Sequence, residues 1–581
     1  MSAILVTISR IIVSYPLDLS VFHGPDFCGH MPLMWLISKT LNLGWNYLWY
    51  TGYPMIKFVS PASLLMGSFF NAFLSPQTAF KLVIDISFVL APLAFLVFIN
   101  NFDLTNRQKI VGLLTFSFLP SGVYYFWEGS FPTVLNVVLT LLLWHSIIRL
   151  CRDRSMKNLA FSGLFFSFAI LTHQLTAVFG AAIITVWLIA RYRKIMVTPF
   201  IIGALIASFW LVPFMLEYTG DSIVKQSAGI DTLVNSIITR MGTVPFVLMC
   251  LIGGSFFVYA ALNYRNDKDF VSFSLVLLFM VIVLFLSSYN RIMYIVAVPL
   301  AMIAAKLYSK NRAVDMSIWA LVVVSILVFF TFQGFFYMSG FISPDAPNLD
   351  MSKGRVIYYP ENNFEHMLKW QEADSGNRPQ FLNQKELSDT KRPYYLKLRD
   401  PLGQSQEETA RLMQDGFFNY AVINIDPNES RYVVPFSDYI NKSAMMSYFS
   451  STDLFREVYN DGVWDVFELS NPPSYISTGS EPVNYSLNKS RNMIEASFAC
   501  RPGELTVKES YDDYWKAEIN GIPAGIGING EGFMKINVTE SGTCNLKMTF
   551  EEKPEYKILY IISFLAVASL LILVIKSNWR N

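Results

Sequence analysis

The segment Phe22–Leu36, FHGPDFCGHMPLMWL, sets one carboxylate between two imidazoles: His23 lies three residues before Asp26 and His30 four after it. An aspartate held against apolar surface can act as a general base with a raised pKa, or can hold a divalent cation such as Mg or Mn. His23 and His30 are then further metal ligands, or hydrogen-bond partners of Asp26 or of a substrate. The D-x-x-x-H spacing stacks Asp26 and His30 one turn apart on a helix that begins at that point. The competing reading is structural, because Asp is a good N-cap for a helix over 27–37. One side chain can hold both roles.

Four other stretches carry groups of the same kind. His173 interrupts an apolar run in LTHQLT, and broken helices line cavities where freed backbone groups find partners. Glu128 in YYFWEGSFP is a second acid on a short loop, suited to ion binding, to orienting a hydroxyl, or to plain solvation. Arg291 in SSYNRIMY stands at the end of an apolar run. Its guanidinium either grips a phosphate with paired hydrogen bonds or snorkels to lipid headgroups. Lys57, in WYTGYPMIKFV, is a further candidate for binding a phosphorylated ligand beside Arg291 and His173.

The elements that must position these groups are membrane helices. The 581-residue chain is 53% hydrophobic and 15% charged, and many apolar runs reach bilayer-spanning length. A net charge of +1 gives no electrostatic case for nucleic acid, and the five cysteines lack the paired spacing of a zinc site. The apolar start, Ser2–Pro16, has no small-residue cleavage site and reads as a short membrane anchor. Further spans are expected over 79–100, 109–126, 131–149, 158–172, 174–190, 196–216, 241–262, 269–286, 290–307, 315–337 and 556–576, about twelve in all. Residues 58–74 read as a half-buried or re-entrant helix, and 31–43 as an interfacial one with Trp35 near the headgroups.

Basic residues fall on every second connection: Arg107 and Lys109, Arg152 to Lys157, Arg191 to Lys194, Arg265 and Lys268, Lys306 to Arg312, then Lys576 and Arg580. The positive-inside bias puts these, and both termini, in the cytoplasm. The loops bearing His23, Asp26, Glu128 and Arg291 then face outward, as does 338–555.

That long region is polar and carries five N-x-S/T triplets. A helix over 407–415 and the buried strand YAVINI predict a small α/β domain, 338–471. Alternating segments such as ELTVKES, YWKAEING and CNLKMTF predict an antiparallel β-sandwich, 472–555, with Trp515 at least partly buried and a tight turn at Asn520-Gly521. A disulfide between Cys500 and Cys544 would suit an oxidising exterior. The helical module is thus 1–337, and 556–576 is a C-terminal anchor.

Taken together, DFCGHMPLMWLI, WYTGYPMIKFVSPASLL, EGSFPTVLN, AILTHQLTAVFG, FWLVPF and SYNRIMYIVAVPL resemble polytopic GT-C-like glycosyltransferase membrane proteins of archaea and bacteria, some described as related to 6-pyruvoyl-tetrahydropterin synthase. The tail VKESYDDYWKAEINGIPAGI is similar to the exterior domain of membrane proteins that modify lipoteichoic acid, with Tyr514, Trp515, Lys516, Asn520 and Gly521 in the shared pattern. The resemblance implies transfer of a sugar from a polyprenyl-phosphate donor to an exterior glycan, lipid or protein acceptor. It places the catalytic acid at Asp26, a helping acid at Glu128 and a phosphate contact at Arg291. The first loop lacks the adjacent acid pair of many such proteins, so a metal is not implied by position alone. Two other functions fit the same chain. A lipid-linked glycan transporter also needs many spans, although intramembrane ionisable residues are few, Asp85 being the clearest. A non-enzymatic envelope protein would use the exterior domains to bind glycan or partner protein.

Overall fold

A computed structural model describes residues 25–40, 43–47, 52–54, 57, 59–119, 130–217, 266–287, 293–309, 312–335, 349, 354–359, 397–398, 400–423, 442–462, 465–478 and 481–578. The expected first segment and the expected span at 241–262 lie outside them. The chain divides into two compact units. One comprises Met1–Met34, Ser60–Gly340 and Pro554–Asn581, and the other Trp35–Val59 with Phe341–Lys553. The sequence boundaries place 35–59 with the helical module, whereas its contacts group it with the exterior residues.

Helix α1 (Pro25–Thr40) begins in the helical unit and runs past its boundary at Met34, and α2 (Pro61–Asn71) lies wholly within that unit. At about 1.5 Å per residue α2 is roughly half a bilayer long, in keeping with a helix that does not cross. Next come α3 (Pro76–Ile99), α4 (Asn106–Phe118), α5 (Phe131–Asp153) and α6 (Met156–Tyr192). Local chemistry sets their ends. The hydroxyls of Ser75 and Ser155 accept from the backbone N–H groups of Thr78 and Asn158. Thr105 and Gln108 form a reciprocal capping box, and α5 and α6 each stop at a left-handed arginine, Arg154 and Arg193. The pair α7 (Thr198–Ile206) and α8 (Ser208–Glu217) bends by 84° at Ala207. Then follow α9 (Lys268–Ser287), α10 (Met293–Leu307) and α11 (Arg312–Phe335).

The C-terminal helix Lys557–Asn578 returns to this unit. Ser563 Oγ lies 3.0 Å from Ser208 Oγ and donates to the Leu205 carbonyl, so small polar side chains hold it at the bend. Its other faces expose Ile561, Phe564, Leu571 and Ile572, the surface a lipid-facing helix presents.

Among the described residues, four helices are long and apolar enough to cross a membrane, and the bent α7–α8 pair makes a fifth. This is fewer than the roughly twelve expected from the sequence. Part of the difference lies in α6, whose two arms count there as one helix. Along the first arm Ser162 meets Ser146 and Ala169 meets Asn136, so that arm runs antiparallel to α5. Along the second, Gly180 abuts Thr140, Trp187 meets Trp144, and Met196 beyond it meets Cys151, a parallel run. The chain therefore reverses at His173, whose φ of −162° and ψ of 94° leave the helical region.

Contacts also gather the basic connections at one end of the unit. Arg152 donates to the Asn101 carbonyl, and Gln108 to that of Tyr308. Asp269 receives both Arg191, at 2.6 Å, and Lys306, at 2.9 Å. The His173 reversal and the first turns of α5 and α10 lie at the opposite end.

The exterior unit holds a short antiparallel pair, β1 (Trp45–Asn46) and β2 (Tyr53–Pro54), a four-stranded sheet and a sandwich. The sheet is built from β3 (Arg355–Tyr359), β4 (Phe418–Ile423), β5 (Phe455–Asn460) and β6 (Asp465–Leu469), in the order β3-β4-β6-β5, with only β3 and β4 parallel. Helix α12 (Gln406–Asp415), capped by Ser405, and helix α13 (Lys442–Ser450) pack on it. β4 is buried along its whole length and contains most of the YAVINI stretch.

The sandwich carries β7 (Ile476–Thr478), β8 (Glu481–Pro482), β9 (Tyr485–Ser490), β10 (Met493–Cys500), β11 (Gly503–Ser510) and β12 (Trp515–Ile519). It continues through β13 (Ile522–Ala524), β14 (Ile526–Ile528), β15 (Phe533–Val538) and β16 (Gly542–Phe550). The two five-stranded sheets are β13-β12-β16-β10-β9 and β14-β15-β11-β7-β8. Cys500 and Cys544 form a disulfide between β10 and β16. Asn520 and Gly521 both take positive φ, 51° and 80°, as a two-residue primed turn requires, and pair Ile519 with Ile522. Trp515 is 5% exposed.

Candidate functional site

The non-basic end of the helical unit is organised by the break at His173. A reversal inside an apolar bundle frees backbone carbonyls that need donors. Asn136, fully buried on α5, supplies them: its amide donates to the carbonyls of Ala169 at 2.6 Å and His173 at 3.1 Å. The His173 ring turns back on the second arm, with Nδ1 at 3.3 Å from the backbone nitrogen of Thr176 and 3.0 Å from its hydroxyl. Nδ1 thus accepts the backbone N–H, which places the ring proton on Nε2 in the neutral imidazole. Gln174 accepts a hydrogen bond from Ser60, the residue before α2.

Helices α1 and α2 complete this end. Ser68 donates to the carbonyl of Met34 at 2.9 Å, and Gly67 lets the Met34 side chain pass where a Cβ would stand. The His30 ring meets Phe131, the first residue of α5, edge to face at 5.2 Å. These elements carry His30, Ser60, His173, Gln174 and Thr176 at this end of the helical unit, polar side chains that can each hydrogen-bond a ligand. The charged candidates are the acids and the arginine singled out by sequence.

Of those, Asp26 is the second residue of α1, one turn before His30. The side chain of Asp26 lies outside the described residues, as do His23, Glu128 and Arg291 in full. In the chain, Glu128 is three residues ahead of α5 and Arg291 two ahead of α10. Among the described residues no three His, Cys, Asp or Glu side chains gather as metal ligands.

Lys57 belongs to the exterior unit. Its ammonium lies 2.9 Å from Asp512 and 3.3 Å from Asp513, and 4.1 Å from the Tyr514 ring centroid. This is the cation that sequence offered to a phosphorylated ligand, here paired with two carboxylates. Sequence reasoning passed over Ser60 and Asn136. The signal for Asn136 was present, a lone amide in the apolar run TVLNVVLT.

A family model described as a 6-pyruvoyl-tetrahydropterin synthase related domain, membrane protein, matches residues 56–233. No curated protein matches the chain. Among solved structures, the arabinofuranosyltransferase AftD from Mycobacteria superposes with a TM-score of 0.59 at 11% identity, over 95% of this chain and 57% of that one. A mutant form of AftD gives 0.57 at 10% identity, over 95% and 60%. ArnT from Cupriavidus metallidurans, bound to undecaprenyl phosphate, gives 0.50 at 11% identity, over 80% and 97%. The likeness is one of fold, and the chain spans a little over half the length of AftD. The fold they share with this chain is that of a helical membrane protein with several long apolar helices and a separate α/β and β-sandwich region. The family match ends at residue 233, so the likeness of the tail to lipoteichoic-acid-modifying proteins rests on its sequence pattern alone.

Proposed function

We propose that this protein is a membrane glycosyltransferase that moves a sugar from a polyprenyl-phosphate donor to a glycan, lipid or protein acceptor at the exterior face. The observation that carries the reading is the gathering of α1, α2 and the His173 reversal at the end of the helical unit opposite the basic connections, in a fold shared with sugar transferases. The positive-inside bias makes that end extracytoplasmic, and about twelve crossings then bring the chain back to a cytoplasmic C-terminus.

In this reading the acceptor hydroxyl attacks the anomeric carbon, and its proton passes to the Asp26 carboxylate. The bond from that carbon to the phosphate oxygen breaks, and the oxygen leaves with the electron pair. Arg291 holds the developing phosphate charge, a fixed positive partner where charge accumulates. His30 and Glu128 orient the acceptor, and His173 the donor. A divalent cation, Mg or Mn, would be held by Asp26 with His23 and His30, and no step above passes through it.

The test uses purified protein in liposomes with radiolabelled polyprenyl-phosphate pentose and hexose donors. Label leaving the lipid for an acceptor supports the transferase. Labelled lipid crossing the bilayer intact would replace it with a transporter, and neither event with an envelope-binding protein.

A further inference from the structure

The N-x-S/T triplets of the chain begin at Asn428, Asn441, Asn484, Asn488 and Asn537, and no asparagine outside 338–555 begins one. The function argued above uses none of them. Asn428 and Asn441 lie outside the described residues, and the other three fall in the sandwich.

Extended backbone sends residues i and i+2 to one side and the residue between them to the other. The three triplets of the sandwich use this in the same sense. Asn484 and Ser486 are both exposed, as are Asn488 with Ser490 and Asn537 with Thr539. The residue between turns inward each time. The Tyr485 hydroxyl accepts from the backbone N–H of Tyr475, the Lys489 ammonium lies 3.6 Å from the Tyr475 ring centroid, and Val538 is 3% exposed. Carboxamide and hydroxyl therefore stand side by side on the solvent face, the pair that an N-glycosylation acceptor presents. The Asn488 amide donates to Glu495 Oε2 at 3.3 Å. A primary amide has two N–H groups, so a substituted nitrogen keeps one for that bond.

Two observations on the same sandwich point the same way. Cys500 and Cys544 are joined as a disulfide, which suits an oxidising compartment outside the cytoplasm. Strand β9, with two of the triplets, is the last strand of its sheet among the described residues. An open sheet edge invites pairing with another chain, and a bulky hydrated group beside it blocks that approach.

We propose that Asn484, Asn488 and Asn537 are N-glycan attachment sites, and that the two at β9 cover the edge of the sandwich with saccharide. The inference rests on the exterior placement of 338–555 but not on the transferase reading. In the attachment step the carboxamide nitrogen bonds to the anomeric carbon of a polyprenyl-phosphate-linked saccharide. The bond from that carbon to the phosphate oxygen breaks, and the oxygen keeps the electron pair. One amide proton passes to a base of the separate oligosaccharyl transferase that brings the two substrates together.

The experiment takes the full-length protein from membranes of the cells that make it. Mass spectrometry reads the peptides holding 484–490 and 537–539 in wild type, Asn484→Gln, Asn488→Gln, Asn537→Gln, Ser490→Ala and Ser490→Thr. Wild type is expected to carry whole saccharide units on all three asparagines. Each Asn→Gln variant loses them at its own position. Ser490→Ala loses them from Asn488 although that asparagine is intact, and Ser490→Thr keeps them. In parallel, Glu518→Cys, an exposed position on β12, is treated on intact cells with a membrane-impermeant maleimide. Label at position 518 with bare asparagines overturns the sites and leaves the exterior placement standing. Bare asparagines with no label overturn both. Saccharide retained on Asn488 in Ser490→Ala overturns the role of the triplet. Light scattering of the Asn484→Gln, Asn488→Gln double variant reads the covering role: it is expected to self-associate where wild type stays dispersed, and equal scattering overturns that role.

Discussion

Gly52 shows how much one position can carry. Its φ of +108° is one that residues with a Cβ rarely adopt, and a methyl group there would overlap Glu509 and the Trp45 ring. Backbone strain costs about 1–2 kcal/mol and overpacking about 1–3 kcal/mol, so Gly52→Ala is expected to destabilise the exterior unit by roughly 2–5 kcal/mol. Thermal unfolding followed by tryptophan fluorescence measures this, and an unchanged midpoint would mean the loop seats differently. None of it was legible in the sequence. Trp45 and Glu509 are 464 residues apart, and no local pattern announces contact over that distance. Asp26 and His173 stood out because an ionisable or polar residue in apolar surroundings is a visible anomaly. Lys57 did too, but its two acidic partners, Asp512 and Asp513, lie in a distant turn, and only the fold brings them to it.

At the scale of elements, the reversal in α6 rests on one buried amide. Replacing Asn136 by Leu leaves the carbonyls of Ala169 and His173 without that donor. An unsatisfied buried polar group costs about 1–3 kcal/mol. Asn136→Leu is therefore expected to lower stability by that amount, read from denaturant unfolding in detergent micelles. Stability equal to wild type would show that other groups satisfy the turn. The reversal itself was readable, because arginines at both 152–154 and 191–193 demand that the chain go out and come back between them. The brevity of α2 was readable for the same reason, since a crossing at 58–74 would break the alternation. The alternating strands and the Asn520-Gly521 turn were equally plain, as period-two patterning and primed-turn chemistry are local properties. The seating of 35–59 with the exterior strands was not, because its apolar and aromatic residues suit a membrane surface as well as a protein core.

The whole molecule carries two units, and the exterior unit has its own pH signature. Lys508, buried where β11 meets α12, donates to the carbonyl of Gln414. Burial, with Arg355 adding to it and Asp415 opposing, pulls its ammonium from the usual 10.5 to about 8. The unfolded chain then binds more protons than the folded one between these values, so stability rises as pH rises from about 8 to about 10.5. The charge costs up to about 3 kcal/mol below that window. The unfolding midpoint of the exterior unit should climb between pH 7 and pH 9.5, and Lys508→Met should remove much of the climb. A variant that climbs like wild type would assign the effect elsewhere. The account as a whole stands on Asp26 as the base of a transfer reaction at the exterior face. The most direct test is the initial rate of sugar transfer from a polyprenyl-phosphate donor by Asp26→Asn in liposomes, beside wild type and Arg291→Ala. Asparagine retains most capping ability and removes the charge. The account predicts a well-inserted Asp26→Asn protein slowed by about 100-fold or more, and Arg291→Ala weakened chiefly in its use of donor. Near-wild-type turnover by Asp26→Asn would contradict it and return Asp26 to the role of a helix cap.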